Sequence, residues 1–369
     1  MKLIHCADIH LDSRMSANLS KEKARERKAE LLATFRRMVE YAEKEGIRAI
    51  VIAGDLFDTS RVSATARNLV RDAVVSHPGI DFYYLQGNHD EGSFLAGLEE
   101  KPANLFLFGD SWVSYPADEA GNVVITGVEL NADNAGSIYN TLVLDPGKIN
   151  IVVLHGQESE HKARDKAQLI HLAGLRNKGI DYLALGHIHS YHAEKLDGRG
   201  CYCYPGCLEG RGFDECGEHG FVVLETDEAA GTVRHRFVPF AARNLYTIPV
   251  DISACASTAD ILEEMKRQAA AAAYPEKSMI KFELVGNVDV QSEKELEFLQ
   301  KQFADSYYYV KLKDSSRYRV DYSAYELDMS LKGEFIRTVK ACAGLSEEEK
   351  AAVIHYGIQA LAGEEILEV

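Results

Sequence analysis

One short stretch limits the fold of this chain more than any other. Residues 49–53, Ala-Ile-Val-Ile-Ala, form an unbroken apolar run followed by Gly54 and Asp55. A run of that length and β-branched content reads as a strand buried on both faces, as in the middle of a parallel sheet. Gly54 permits a tight turn at its carboxyl end, which presents Asp55 at the strand tip. Ligands of open α/β sheets bind at such tips, so an acid there raises the question of what it holds.

The same punctuation recurs along the first 190 residues. Residues 2–7 predict a strand that stops at Asp8 and His10, with Asp12 beyond, and residues 81–86 predict one that leads into Gly87, Asn88, His89 and Asp90. Residues 149–154 predict a strand ending at His155, and residues 182–185 one ending at Gly186, His187 and His189. Apolar positions Leu31, Leu32, Phe35, Met38, Val39 and Ala42 predict a helix over 20–45 closed by Gly46. A second helix is predicted over 63–77, stopped by Pro78, and a third over 162–178. Residues 104–130 read as hairpins rather than crossovers, and the stretches 202–205, 221–226 and 232–240 as antiparallel strands with Gly231 in a turn. The expected fold class is α/β: two packed mixed sheets flanked by helices.

Near residue 240 the character changes. Residues 245–325 run strand, helix (258–273), strand, helix (292–303), strand, which predicts a small α+β domain. It has no ligand-rich strand tips and no glycine-rich phosphate loop, so a substrate-cap or interaction role is expected. Residues 330–369 predict two helices. The second opens with Ser346 and Glu349 at capping-box spacing and carries Val353, Ile354, Ile358 and Leu361 as an apolar stripe. That stripe suits packing within its own domain or docking to a partner. The expected divisions are therefore 1–240, 245–325 and 330–369.

Charge narrows the possible partners. The 57 Asp and Glu against 41 Lys and Arg give a net −16, the wrong sign for a stand-alone nucleic-acid binder. Residues 1–75 run the other way, with 14 Lys and Arg against 11 Asp and Glu, so a polyanion would be met locally. Lys21, Lys23, Arg25, Arg27 and Lys28 start the first helix, but Glu22, Glu26 and Glu30 interleave with them, which favours a solvated face over a DNA-facing patch. Seven cysteines, without an apolar leader or a membrane-length run, are expected of a protein in a reducing cytoplasm, away from any membrane. Cys201, Cys203, Cys207 and Cys216 cluster without a C-x2-C knuckle, which favours reduced thiols among strands over a structural zinc site.

Collected, the strand tips supply Asp8, His10, Asp55, Asn88, His155, His187 and His189. These hard oxygen and imidazole donors suit Mn, Fe or Zn better than Mg or Ca, and they suffice for two ions sharing a carboxylate.

Asp-x-His, Gly-Asp-x-x-Asp, Gly-Asn-His-Asp, a strand-ending His and Gly-His-x-His, in that order, resemble the motif set of calcineurin-like metallophosphoesterases over residues 1–240. Tyr204, Pro205, Gly206, Leu208 and Glu209 further resemble the Tyr-Pro-Gly-Ser-Leu-Glu stretch of SbcD-type DNA-repair nucleases, with Cys207 where serine is usual. The small domain and terminal helices are similar to the cap and tail of the YhaO branch of that type. Phosphoprotein phosphatases fit less well, because their Gly-Asp-x-x-Asp-Arg-Gly continues here with Thr59 and Ser60.

The resemblance implies one ion on Asp8, His10, Asp55 and His189 and a second on Asp55, Asn88, His155 and His187, with Asp55 as the bridge and Mn as the metal. It implies hydrolysis of a phosphodiester by activated water, with His89 stabilising charge or protonating the leaving oxygen. It also implies DNA as substrate, an SbcC-like coiled-coil ATPase as partner, reached through the C-terminal helices, and it admits a homodimer. Some relatives carry a histidine at the position of Asp58, which leaves the balance of exonuclease and endonuclease action open. The alternatives are a small-molecule phosphodiesterase or nucleotidase on the same scaffold and, from another class, a catalytically silent scaffold subunit.

Overall fold

The computed structural model describes residues 1–15, 19–58, 62–87, 90, 100–159 and 169–362. The chain divides into two compact units, Met1–Asn244 and Leu245–Val369.

The first unit opens with β1 (Lys2–Cys6), α1 (Lys21–Lys44), β2 (Ala49–Ala53), α2 (Ala64–Ser76) and β3 (Asp81–Leu85). It continues through β4 (Leu105–Leu107), β5 (Val113–Pro116), β6 (Val123–Gly127), the short α3 (Ile138–Thr141), β7 (Ile149–His155), β8 (Gln157–Glu158) and β9 (Leu169–Ile170). It closes with β10 (Tyr182–Gly186), β11 (His192–Lys195), β12 (Cys201–Tyr204), β13 (Gly220–Asp227) and β14 (Thr232–Pro239). Two six-stranded sheets result, ordered β14-β13-β1-β2-β3-β4 and β11-β12-β10-β7-β6-β5. In each, four neighbouring strands are parallel: β1 to β4 in the first, and β12, β10, β7 and β6 in the second.

Period-two alternation sorts the side chains of these strands into layers. Leu3, Val51, Ala53 and Tyr83 from the first sheet meet Ile125, Ile151, Val153 and Tyr182 from the second, so one apolar layer lies between the sheets. The opposite faces of β1 and β2, with Ile4, Ile50 and Ile52, pack on Leu31, Phe35, Met38 and Val39 of α1 and on Val70 and Val74 of α2. Strands covered on both faces can be apolar throughout, which is why the run 49–53 has no polar break. Ser20 and Ser63 cap α1 and α2 by accepting from the amides of Lys23 and Ala66.

Three expectations need correction. In 104–130 only β5 and β6 form a hairpin; β4 joins β3 in parallel, and β6 joins β7 in parallel. The helix expected over 162–178 is not formed in its described part: Leu169–Ile170 pairs with Gln157–Glu158, and a single 3-10 turn follows at Leu172–Gly174. Ile170, Leu172 and Leu175 are buried against the second sheet, and the left-handed backbone of Asn177 and Gly179 ends the segment. Residues 162–168 lie outside the described residues. Arg27 belongs neither to a solvated face nor to a DNA-facing one. It is buried, donating 3.0 Å to Glu209 and paired with Glu30.

The second unit contains β15 (Leu245–Asp251), α4 (Thr258–Ala272), β16 (Met279–Val285), β17 (Asn287–Asp289), α5 (Leu296–Lys301), β18 (Tyr309–Asp314) and β19 (Arg317–Arg319), then α6 (Leu331–Ala341) and α7 (Glu347–Ala362). Its main sheet is parallel, in the order β15-β16-β18, and β17 pairs with β19. Ser346 and Glu349 form the expected reciprocal cap of α7. The expected apolar stripe of α7 is divided. Ile354 is buried beside Ile336 and Val339 of α6, whereas Val353 and Leu361 are exposed. Among the described residues, no helix is long and apolar enough to cross a membrane.

Candidate metal centre

The parallel strands of both sheets end at one place. Past β1, the amides of Asp8 and His10 donate to the carbonyls of Gly54 and Asp55, so the two loops run side by side beyond the sheet. Asp8, His10 and Asp55 all adopt left-handed backbone, with φ of 49°, 50° and 51°, and His187 has φ 107°. Four non-glycine residues in sparsely populated conformations at one spot mark a constrained site. The glycines permit the crowding: a Cβ on Gly54 would strike the His155 ring, one on Gly87 would strike Asp55, and one on Gly186 would strike the Ala53 carbonyl.

Among the described residues, two groups of side chains converge closely enough to hold an ion. One comprises Asp8, His10 and His189, the other Asp8, Asp55 and His155, with donor atoms in each within 4.8 Å of one another. Asp8 is thus common to both. Asp55 also looks both ways, its Oδ2 lying 3.4 Å from His155 Nε2 and 3.8 Å from His10 Nε2. The expected ligand His187 sits outside these groups. Its ring meets that of His155 edge to face at 5.5 Å, and its amide donates to both Asp8 oxygens at 3.0 and 2.9 Å. The expected ligand Asn88 and the expected catalytic His89 lie outside the described residues.

Two of the inner imidazoles are held from behind: His155 Nδ1 lies 2.9 Å from the Ala53 carbonyl and His189 Nδ1 2.6 Å from Glu215 Oε1, whereas Asp58 Oδ1 stands 3.2 Å from His10 Nδ1 as an ion-pair neighbour without hydrogen-bond alignment. An ionised carboxylate or a carbonyl only accepts, so at His155 and His189 Nδ1 donates and Nε2 is the nitrogen turned inward, the one that a bound ion would take in place of a proton. The Nε2 atoms of His10 and His189 are 3.3 Å apart. Two lone pairs facing at that distance repel unless a cation or proton lies between them.

The titration of the site follows from its charge. Burial opposes protonation of His155, yet the Asp55 and Asp8 carboxylates raise it to about 9. Burial likewise opposes charge on His189, but Glu215 and Asp8 hold it above the usual imidazole range. Glu215 is pushed up by burial and pulled far below the ordinary carboxylate range by His189 and Arg211. Buried carboxylates beside imidazoles whose protonation they favour form a donor set matched to a divalent cation, which would take the place of those protons.

Three residues escaped the sequence reading. Glu215 and Arg211 lie in a turn without periodicity, and only the fold brings them to His189. Asp90, within the Gly-Asn-His-Asp motif, accepts from the amides of Gly87, Leu56 and Phe57 and ties two site loops together. The cysteine cluster does not gather. Cys203 and Cys207 are buried, Cys216 is exposed, and among the described residues neither ion-holding group contains a cysteine.

Residues 1–191, just over half of the sequence, match the family of calcineurin-like phosphoesterases. The chain belongs to that family. It is 27% identical over 248 residues to the uncharacterized metallophosphoesterase YhaO of Bacillus subtilis, covering 64% of this chain and 60% of that protein. It is 26% identical over 267 residues to the DNA double-strand break repair protein Mre11 of Methanopyrus kandleri, covering 64% and 56%. It is 25% identical over 272 residues to the SbcD polypeptide of the nuclease SbcCD of Escherichia coli, covering 61% and 65%. The chain therefore spans about three-fifths of the length of the curated relatives it matches. The donor set that the described residues bring together fits the divalent metal ions expected of this family.

Proposed function

We propose that this chain is a DNA-cleaving phosphodiesterase, the nuclease subunit of an SbcCD-like assembly, that uses two transition-metal ions, manganese foremost. The observation that carries the proposal is carboxylate sharing: Asp8 belongs to both ion-holding groups, and Asp55 Oδ2 faces an imidazole of each side. Asp8, His10, Asp55 and His189 would hold one ion, and Asp55, His155 and His187 the other. Asn88 as a further ligand and His89 as the residue that meets the leaving oxygen rest on their motif alone. Bound there, the ions would supply Lewis-acid polarisation of the phosphoryl group and activation of water.

The chain's own residues do the positioning. The Ala53 carbonyl and the Glu215 carboxylate aim Nε2 of His155 and His189, Asp58 stands beside His10, and the His187 amide holds Asp8. DNA as substrate draws support from the relatives named as a break-repair protein and as part of a nuclease. An acidic chain fits a subunit that shares DNA contact with an SbcC-like coiled-coil ATPase. Exposed Leu327, Met329, Leu331, Val353 and Leu361 support a docking role for the C-terminal helices, and residues 245–325 would act as a cap.

A manganese-supplemented assay on linear, hairpin and single-stranded DNA, with and without a co-purified ATPase, tests this directly. Cleavage that disappears in Asp55→Asn is the expected result. A strong preference for cyclic nucleotides over DNA would overturn the substrate, and an unaltered protein that binds no ions would restore the silent-scaffold reading.

A further inference from the structure

Arg211 occupies an unusual place behind the candidate centre. Its Nη2 donates to Glu215 Oε1 at 2.8 Å and its Nε to the same oxygen at 3.1 Å, while its backbone amide donates to Glu215 Oε2 at 2.7 Å. Its Nη1 reaches across to Asp58 Oδ1 at 3.2 Å. These are the carboxylates that stand behind the inner imidazoles: Glu215 Oε1 lies against His189 Nδ1 at 2.6 Å, and Asp58 Oδ1 against His10 Nδ1 at 3.2 Å. Arg211 Nη2 also lies 3.0 Å from His189 Nδ1. With a carboxylate at 2.6 Å that nitrogen carries a proton, so the guanidinium bonds the carboxylate rather than the ring.

One planar fork thus fixes two acids: Glu215 fixes the His189 imidazole, and Asp58 stands beside His10 of the same ion-holding group. We propose that Arg211 is a positioning residue that, through Glu215, sets the tautomer and aim of His189 and, through Asp58, holds a carboxylate beside His10, and so governs one of the two ions selectively. This rests on the two-ion reading above. The clamp also accounts for Asp58, which as an acid can both accept from Arg211 and face His10.

The geometry separates this from a merely structural ion pair. His155 is anchored by the Ala53 carbonyl, outside the reach of the clamp, so loss of Arg211 spares its side of the centre. Arg is suited to this position because its fork spans two carboxylates, which the single ammonium of Lys does not.

The test is a calorimetric titration of the ion-free full chain with cobalt(II), followed in parallel by visible absorbance, for the unaltered protein, Arg211→Ala, Arg211→Lys and Glu215→Gln. Outer partners of ligating histidines typically change metal affinity by about 10–100-fold. The expected result is one site weakened by that factor in Arg211→Ala and Glu215→Gln, with the other within about twofold of the unaltered value, and Arg211→Lys closer to Arg211→Ala than to the unaltered protein. Glu215→Gln preserves shape, so it reports on the clamp even where Arg211→Ala lowers the unfolding temperature. Two sites of unchanged affinity, or equal weakening of both, would overturn the clamp while leaving the two-ion reading intact. An unaltered protein that binds no cobalt would overturn both.

Discussion

Both units contain parallel strands that end in acids, yet they treat those acids differently. In the second unit, Asp251 at the end of β15 accepts from the amide and hydroxyl of Ser253 at 2.9 and 2.6 Å. Asp314 at the end of β18 does the same with Ser316 and also takes Lys294 Nζ at 2.6 Å. These carboxylates close on their own turns. In the first unit, left-handed backbone at Asp8 and Asp55 turns each acid out of its local turn, and both face imidazoles instead. An acid at a strand tip is therefore a candidate ligand when its own loop leaves it turned outward, and a turn cap when a serine follows two residues later.

The sharpest way to break this contrast is to neutralise one acid of each kind. Asp55→Asn should lower hydrolysis of a simple phosphodiester on the order of 10³-fold, the several kcal/mol that metal charge stabilisation is worth. Asp314→Asn should leave kcat/KM within about twofold and cost about 1 kcal/mol in denaturant unfolding. Equal losses of activity would end the distinction.

Proton linkage provides a second test. Because His155 is raised to about 9, the ion-free site carries its proton at neutral pH, and a bound ion must displace it. Metal affinity should fall as pH drops below about 9, roughly tenfold per pH unit for one proton, or about 100-fold from pH 8 to pH 6. Calorimetry in two buffers of different ionisation enthalpy measures the proton released; no release at pH 7 would remove the charge argument.

Crowding should matter in the first unit as well. Gly186→Ala drives a methyl into the Ala53 carbonyl and toward His155, which should cost about 1–3 kcal/mol of stability and weaken ion binding. Unchanged thermal unfolding and titration curves would show that the backbone can yield there. The smallest effect belongs to the second unit, where Ser257→Ala should cost about 1 kcal/mol by removing the cap of α4 and leave ion binding untouched.

The strand tips were legible because each ended an apolar run with glycine or with a residue able to bind metal, a local pattern that needs no tertiary knowledge. The placement of Asp55 at a strand tip could be anticipated; Asp8 in both groups could not, since that depends on how two loops run side by side. Glu215 and Arg211 carried no periodic signal, and their meaning comes from contacts with His189, far from both along the chain. Arg27 looked like part of a solvated basic face because helix periodicity says nothing about Glu209, which arrives from a distant turn to neutralise it. In the stretch 162–178 the leucine spacing was helical, but its described residues follow a short strand pair and a buried turn.

The candidate donors come from both sheets: Asp8, His10 and Asp55 follow β1 and β2, whereas His155 ends β7 and His189 follows β10. The layer between the sheets is mainly apolar, and it includes a buried polar contact across it, His5 Nδ1 to the Tyr182 hydroxyl at 2.9 Å. A slip of one residue along a strand, about 3.3 Å, would carry donors of one sheet out of reach of those of the other. The centre therefore works as a gauge of sheet alignment, and a change of volume at Ile151 or Ala184, both in the layer between the sheets, would be read there as misalignment.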